Sequence, residues 1–261
     1  MHVSSQAIRT ELTADSLNEL ATRRIAVIHV RSYYPRDAAE EAGKKSINHA
    51  SLGLYEEEHA RVGRIHMPLF DTRSGQDLLA EYHSRALDSI LDIRKLFQPF
   101  LSPIDKLRLD LEELWPAGAS LLRLGGKPCF VGTVRVFPPA VAAFGPHNDE
   151  IGRETDAAEA QQFSEQLAAN VYLQNGELGG ELLLWLREPT TEESEYIERH
   201  EGLDPDTIEA PVLEIHPAAG DLILFSARML HAVRTPQDAH RVNTAAFIGV
   251  SRAADPLVYW S

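Results

Sequence analysis

The chain has 261 residues, 44% of them apolar and 25% charged, with a formal net charge of −14 and a single cysteine, Cys129. That length supports one sizeable core, and one thiol excludes an internal disulfide framework or a zinc site with two or more cysteines. The acidic balance and the lack of a basic stripe argue against nucleic acid as a partner, and no apolar run approaches the roughly 20 residues of a membrane span, so a cytoplasmic protein is expected.

The predicted elements begin with a helix over residues 13–22, TADSLNELAT, where Thr13 or Asp15 can cap the first turn. It leads into a β-branched strand over residues 25–30. Further helical patterns follow at about 36–46, 76–97 and 103–115, where Leu, Ile and Phe recur in places at three- and four-residue spacing. From Ala119 the texture changes to short β-rich runs: ASLLRL, FVGTVRVF, ANVYLQ, GELLLWL, PVLEIH, DLILFS, HAVRT and NTAAFIGV. Turn signals such as GGK, NGELGG and PAAGD separate them. The expected fold is therefore mainly β with a helical N-terminal part: residues 1–115 pack on a core at 116–261, and the whole forms one structural domain. Short strands in that rhythm suit a sandwich or barrel, of which the double-sheet jelly roll is one closure. Two stretches interrupt the rhythm, a polar and helix-favouring one at 150–169 and a strongly acidic one at 188–210. Each reads equally as a binding loop or a solvated insertion.

Within FGPHNDE, His147 and Asp149 stand two residues apart, so in an extended backbone both project to one side and can grip one ion. His231, in ARMLHAVRT just after the DLILF run, is placed to supply a third ligand. Two histidines and one carboxylate leave three octahedral positions open, the facial triad with which non-heme Fe(II) oxygenases bind a chelating co-substrate and O2. Arg241 follows ten residues later, after the loop TPQDAH, and a hairpin of that size would return it beside His231. Its planar fork matches a carboxylate bidentately. Alternation along that strand places Asn243 and Ala245 on the face of Arg241, and Asn170 on the face of Tyr172. Asn243 can therefore look into the site or serve only the strand, and Asn170 can reach co-substrate or substrate. Arg64 and Arg73, which flank HMPLFDT, are candidates to pair a substrate carboxylate. His29, His216 and His240 read as structural.

The strings VRVFPPAVAAFGPHND, ANVYLQNGELGGELLLW and PAAGDLILFSARMLHAVRTPQDAHRVNTAAFIG agree in order and spacing, over about residues 130–250, with the prolyl-hydroxylase-like branch of the Fe(II)/2-oxoglutarate-dependent dioxygenase superfamily, which the chain resembles. The resemblance implies a cupin-like double-stranded β-helix, with Fe(II) on His147, Asp149 and His231 and the 2-oxoglutarate C5 carboxylate on Arg241, supported by Tyr172. It also implies O2 as oxidant, with succinate and CO2 as co-products and ascorbate as an aid. Phe137 departs from the pattern, which often has tyrosine there, and the chain from Asp149 to Tyr172 is longer than in compact members. Asp149 fills the coordination site that related halogenases leave open to chloride by having Gly or Ala, which favours hydroxylation or a related oxidation. A small-molecule substrate is expected, such as a free amino acid or natural-product intermediate. A peptide substrate drawn to the acidic run from Glu192 to Glu201 is an alternative, as is a hydrolytic or non-catalytic metal-binding cupin-like protein.

Overall fold

A computed structural model describes residues 8–54, 62–142, 144–200 and 202–261; of Ser74 only the backbone is described. Glu201, at one end of the acidic run, lies outside the described residues. The N-terminal part runs β1 (Ile8–Arg9), α1 (Ala14–Ala21), β2 (Val27–Val30), α2 (Arg36–Ile47), β3 (Leu52–Leu54), β4 (Gly63–Ile65), α3 (Gln76–Leu96) and α4 (Pro103–Leu114). Local chemistry sets the helix starts. Thr13 Oγ1 accepts the backbone N–H of Ser16 while Ser16 Oγ accepts that of Thr13, a reciprocal box around the first turn of α1. Ser102 accepts from the N–H of Asp105 ahead of Pro103, the first residue of α4, where a missing N–H costs nothing. In α3 the buried residues Tyr82, His83, Ala86, Ser89, Ile90, Ile93 and Leu96 recur every three or four positions, the stripe of a helix lying on a core.

The remainder is β5 (Ala119–Leu121), β6 (Arg123–Leu124), β7 (Lys127–Pro128), β8 (Thr133–Phe137), β9 (Glu165–Gln174), β10 (Leu182–Leu184), α5 (Thr191–Arg199), β11 (Leu213–Ile215), β12 (Leu222–Ser226), β13 (His231–Val233), β14 (Arg241–Val250) and β15 (Leu257–Trp260). Ten strands form one sheet along the path β1-β2-β12-β9-β14-β8-β4-β3, with β15 and β5 branching from β14. A second sheet, β11-β10-β13, supplies the other wall of the jelly roll. Every residue of β14 is buried, because α2 and α4 help cover one face and the other faces the interior. The chain before residue 115 thus adds strands to both margins of the large sheet as well as helices to its outer face.

Three expectations change. The stretch at 150–169 is not helical: it makes two 3-10 turns, Ile151–Arg153 and Ala160–Gln162, and its last five residues already belong to β9. The acidic stretch carries α5, whose Thr190 cap and Glu193 make a second capping box. Finally, Arg241 and His231 are not on one hairpin. β13 pairs with β10 in the small sheet and β14 with β8 and β9 in the large one, so the connection between them crosses from wall to wall. The two residues therefore approach one interior space from opposite sides. Among the described residues, no helix is long and apolar enough to cross a membrane.

After α5 the chain docks on the loop carrying His147. The Leu203 N–H donates to Pro146 O at 2.8 Å, and Gly202 sits at φ +112° with a Cβ position only 2.5 Å from the Gly145 carbonyl carbon. An L side chain meets both a disfavoured backbone and a hard contact there. Gly202→Ala should cost about 2 kcal/mol or more, which for a chain of this size lowers Tm by about 4–8 °C in calorimetry.

Candidate metal centre

His147 and His231 form an isolated antiparallel bridge, each N–H donating to the other's carbonyl, at 3.0 and 2.8 Å. Their rings are thereby brought to 4.5 Å between centroids. Asp149 is fixed by its own N–H donating to Ala227 O at 2.8 Å, and its Oδ2 lies 3.3 Å from His231 Nε2. One ligand atom from each of the three falls within 4.8 Å of the others, and among the described residues they are the one such group of three or more.

Both histidines use the same second contact. His147 Nδ1 is 2.7 Å from Gly145 O and His231 Nδ1 is 2.9 Å from Met229 O. A carbonyl can only accept, so each Nδ1 carries the proton and each Nε2 keeps its lone pair for an ion. Burial, then the neighbouring His231 ring, push His147 down to about 4, so it stays neutral well below neutral pH. Burial alone would raise Asp149, but the close approach of His231 and the positive field of Arg135 outweigh it and hold the carboxyl well below its usual range. The donor set, two neutral imidazoles and one carboxylate, suits a divalent ion that keeps open positions.

The centre separates two cavities. The inner one is lined by Arg135, Phe137, Asn170 and Arg241 from the large sheet and by Leu182 and Val233 from the small one. Arg241 is 3% exposed, and its three nitrogens donate to Gly180 O, Asn243 Oδ1 and Tyr172 Oη at 3.2, 3.0 and 3.2 Å. Its guanidinium also lies over the Phe137 ring at 4.6 Å. All these acceptors are neutral. No carboxylate among the described residues reaches Arg241, and burial lowers its pKa despite Tyr172. A buried cation without an anion is costly, and two of its five N–H donors remain for a ligand.

The other expected residues take different places. Tyr172 is fully buried and holds Arg241. Asn243 is fully buried between Arg241 and Asn170, donating to Asn170 Oδ1 at 2.7 Å, so it braces the guanidinium and does not line the cavity. Asn170 does line it. Arg64 pairs with Asp71 and opens onto a separate cavity behind the site. Arg73 lies over the Phe70 ring at 3.9 Å and lines the outer cavity, about 490 Å³, together with Asp149, Arg153, Glu154 and the α5 end at Ile197–His200. Of the other histidines, His29 is a buried partner of Asp221 at 2.9 Å. Arg135 went unnoticed in the sequence although TVRVF shows it: alternation puts it on the inner face between Thr133 and Phe137. Glu154 had no signal, being one of several charges in a polar run.

The model of the family described as carrier-protein-independent halogenase WelO5 matches residues 2–261. An L-gamma-glutamyl-L-propargylglycine hydroxylase of Streptantibioticus cattleyicolor is 33% identical over 166 residues, 60% of this chain, and the match spans 59% of that relative's length. An N-substituted L-amino acid dioxygenase of Burkholderia ambifaria has the same fold, with TM-score 0.63 at 16% identity over 98% of this chain and 97% of that one. Its complex with alpha-KG aligns at TM-score 0.63 and 18% identity, over 95% and 91%.

Proposed function

This chain belongs to the carrier-protein-independent halogenase WelO5 family, within the Fe(II)/2-oxoglutarate oxygenase superfamily, and from that premise we propose that it is a hydroxylase of a small molecule, an amino acid or an amino-acid-derived intermediate. In this reading His147, Asp149 and His231 hold Fe(II), and Arg241 takes the far carboxylate of 2-oxoglutarate in the inner cavity. The substrate enters through the outer cavity, which is of the size that holds such ligands. The observation that carries the proposal is the buried Arg241 guanidinium, without an acid partner among the described residues, facing the same space as a two-histidine, one-carboxylate cluster. Two similar proteins support an amino-acid-derived substrate, one a hydroxylase of L-gamma-glutamyl-L-propargylglycine and the other a dioxygenase of N-substituted L-amino acids. The cytoplasm, with its reducing poise, is the compartment this reading assigns.

When bound, iron with 2-oxoglutarate and O2 supplies an oxidant that removes hydrogen from a substrate carbon, releasing succinate and CO2. The chain contributes position and dryness. Gly145 O and Met229 O aim the two imidazoles, Asn243 and Tyr172 brace Arg241, Phe70 and Phe144 give the junction an apolar lining, and Phe225 packs against His231. Asp149 is what argues for hydroxylation within a family described as halogenases, because its carboxylate joins the two histidines and would serve as the third ligand, at the position that related halogenases leave to chloride by having Gly or Ala.

Anaerobic addition of Fe(II) and then 2-oxoglutarate tests the centre. A weak visible charge-transfer band is expected, followed on air by succinate and a mass gain of one oxygen on a substrate. A hydrolytic or non-catalytic cupin-like protein gives no band, and that result would end the oxygenase reading.

A further inference from the structure

Glu154 stands at the junction of the two cavities. Five residues line both: Phe70, Phe144, His147, Asp149 and Glu154. Apart from the two members of the metal cluster, Glu154 is the ionisable one, so a molecule that goes from the outer cavity to the metal passes its carboxyl. Glu154 Oε2 is buried and has no hydrogen-bond partner. The neighbouring cations are committed elsewhere in part: Arg73 lies over Phe70, and Arg153 reaches Glu198 at 3.5 Å.

We propose that Glu154 receives the protonated amine of the substrate, and that the enzyme accordingly selects molecules with a free ammonium group close to the carbon presented to the metal. This rests on the reading of the outer cavity as the substrate's entrance. A carboxylate only accepts hydrogen bonds, and a cationic donor compensates its burial better than a neutral one. The carboxyl is kept waiting for such a partner: burial, reinforced by Asp149, pushes it up to about 8 even though Arg73 and Arg135 oppose the shift. An arriving ammonium supplies the hydrogen-bonded cation that Oε2 lacks and brings Glu154 to its ionised form. Arg73 adds a positive group to the same cavity, so the two ends of a zwitterionic amino-acid head meet opposite charges, and a blocked amine finds a buried acid it cannot satisfy.

The test is equilibrium binding, apart from turnover. The full chain, loaded with Ni(II) and 2-oxoglutarate, is titrated calorimetrically with the protein L-amino acids and with their N-acetyl derivatives. At least one free amino acid should bind, and acetylation should weaken it at least about tenfold, the worth of one charge-assisted hydrogen bond. Glu154→Gln should weaken the free form by a similar factor and leave the acetylated form within about threefold, abolishing the preference. Glu154→Met, of similar volume and without polar atoms, should reproduce this, and melting curves check that both variants fold. The proposal is overturned if Glu154→Gln weakens both forms alike or neither, if acetylated and free forms bind equally, or if no free amino acid binds. Binding of 2-oxoglutarate to the nickel protein is measured separately. Its failure would count against the oxygenase reading, while the amine preference is read the same way without it.

Discussion

Asp149→Ala should abolish most hydroxylation while leaving the fold intact. The backbone of residue 149 stays anchored through its N–H to Ala227 O, and alanine neither adds volume nor demands an unusual backbone. What goes is one of the three proposed metal ligands, whose carboxyl lies 3.3 Å from His231 Nε2. Losing an outer partner of a metal ligand already costs about 10–100-fold; losing the ligand itself should cost at least about a hundredfold in substrate-driven succinate release and lower the affinity for Fe(II). The wild-type chain, assayed with chloride or bromide, should give oxygenated product and no halogenated one, despite the description of its family. A mass shift corresponding to chlorine in the wild type would refute the role given to Asp149, and an unchanged rate in Asp149→Ala would refute the metal centre altogether. Only in the variant does a coordination position open, and bromide competition read by mass spectrometry shows whether a halide takes it.

The residues of this centre were legible because their constraints are local. His-x-Asp in an extended segment points both side chains one way, and strand alternation carries Arg241 inward whatever its partner strand is. The partner strand itself was not local information: only the seven residues 234–240 separate β13 from β14, yet the two belong to different sheets. A loop of that length serves a hairpin or a crossing equally well. Helix α1 announced itself through Thr13 and α4 through its apolar spacing, whereas α5 has capping chemistry but no buried residue, so no apolar stripe marks it. Strands β3, β4 and β15 are three or four residues long and exist because a neighbouring edge accepts them. The substrate side was the least legible. Arg64 and Arg73 looked alike in sequence, and only folding gives one to Asp71 and the other to the cavity. Glu154 depends on a 3-10 turn that turns a charge from a polar run inward.

Arg241→Met should weaken 2-oxoglutarate binding more than any other single change outside the metal ligands. Removing one partner of a buried, hydrogen-bonded ion pair costs about 2–5 kcal/mol, which corresponds to about 30- to 4,000-fold in Kd. Arg241→Lys keeps the charge but loses the planar fork that donates at once to Tyr172 and Asn243, so an intermediate loss of about tenfold or more is expected. The effect should fall on the KM for 2-oxoglutarate far more than on kcat at saturation, because the far carboxylate is held alike before and during reaction. Stability should move the other way. In the free protein Arg241 is a buried cation opposed by no acid among the described residues, lowered in pKa by burial, and an apolar side chain of similar length relieves that cost. The ligand-free variant should therefore melt no lower than wild type, while the stabilisation that 2-oxoglutarate gives the metal-loaded wild type should vanish in it. Unchanged affinity for 2-oxoglutarate, or a collapse of the ligand-free fold, would show that the guanidinium serves the core and not the co-substrate.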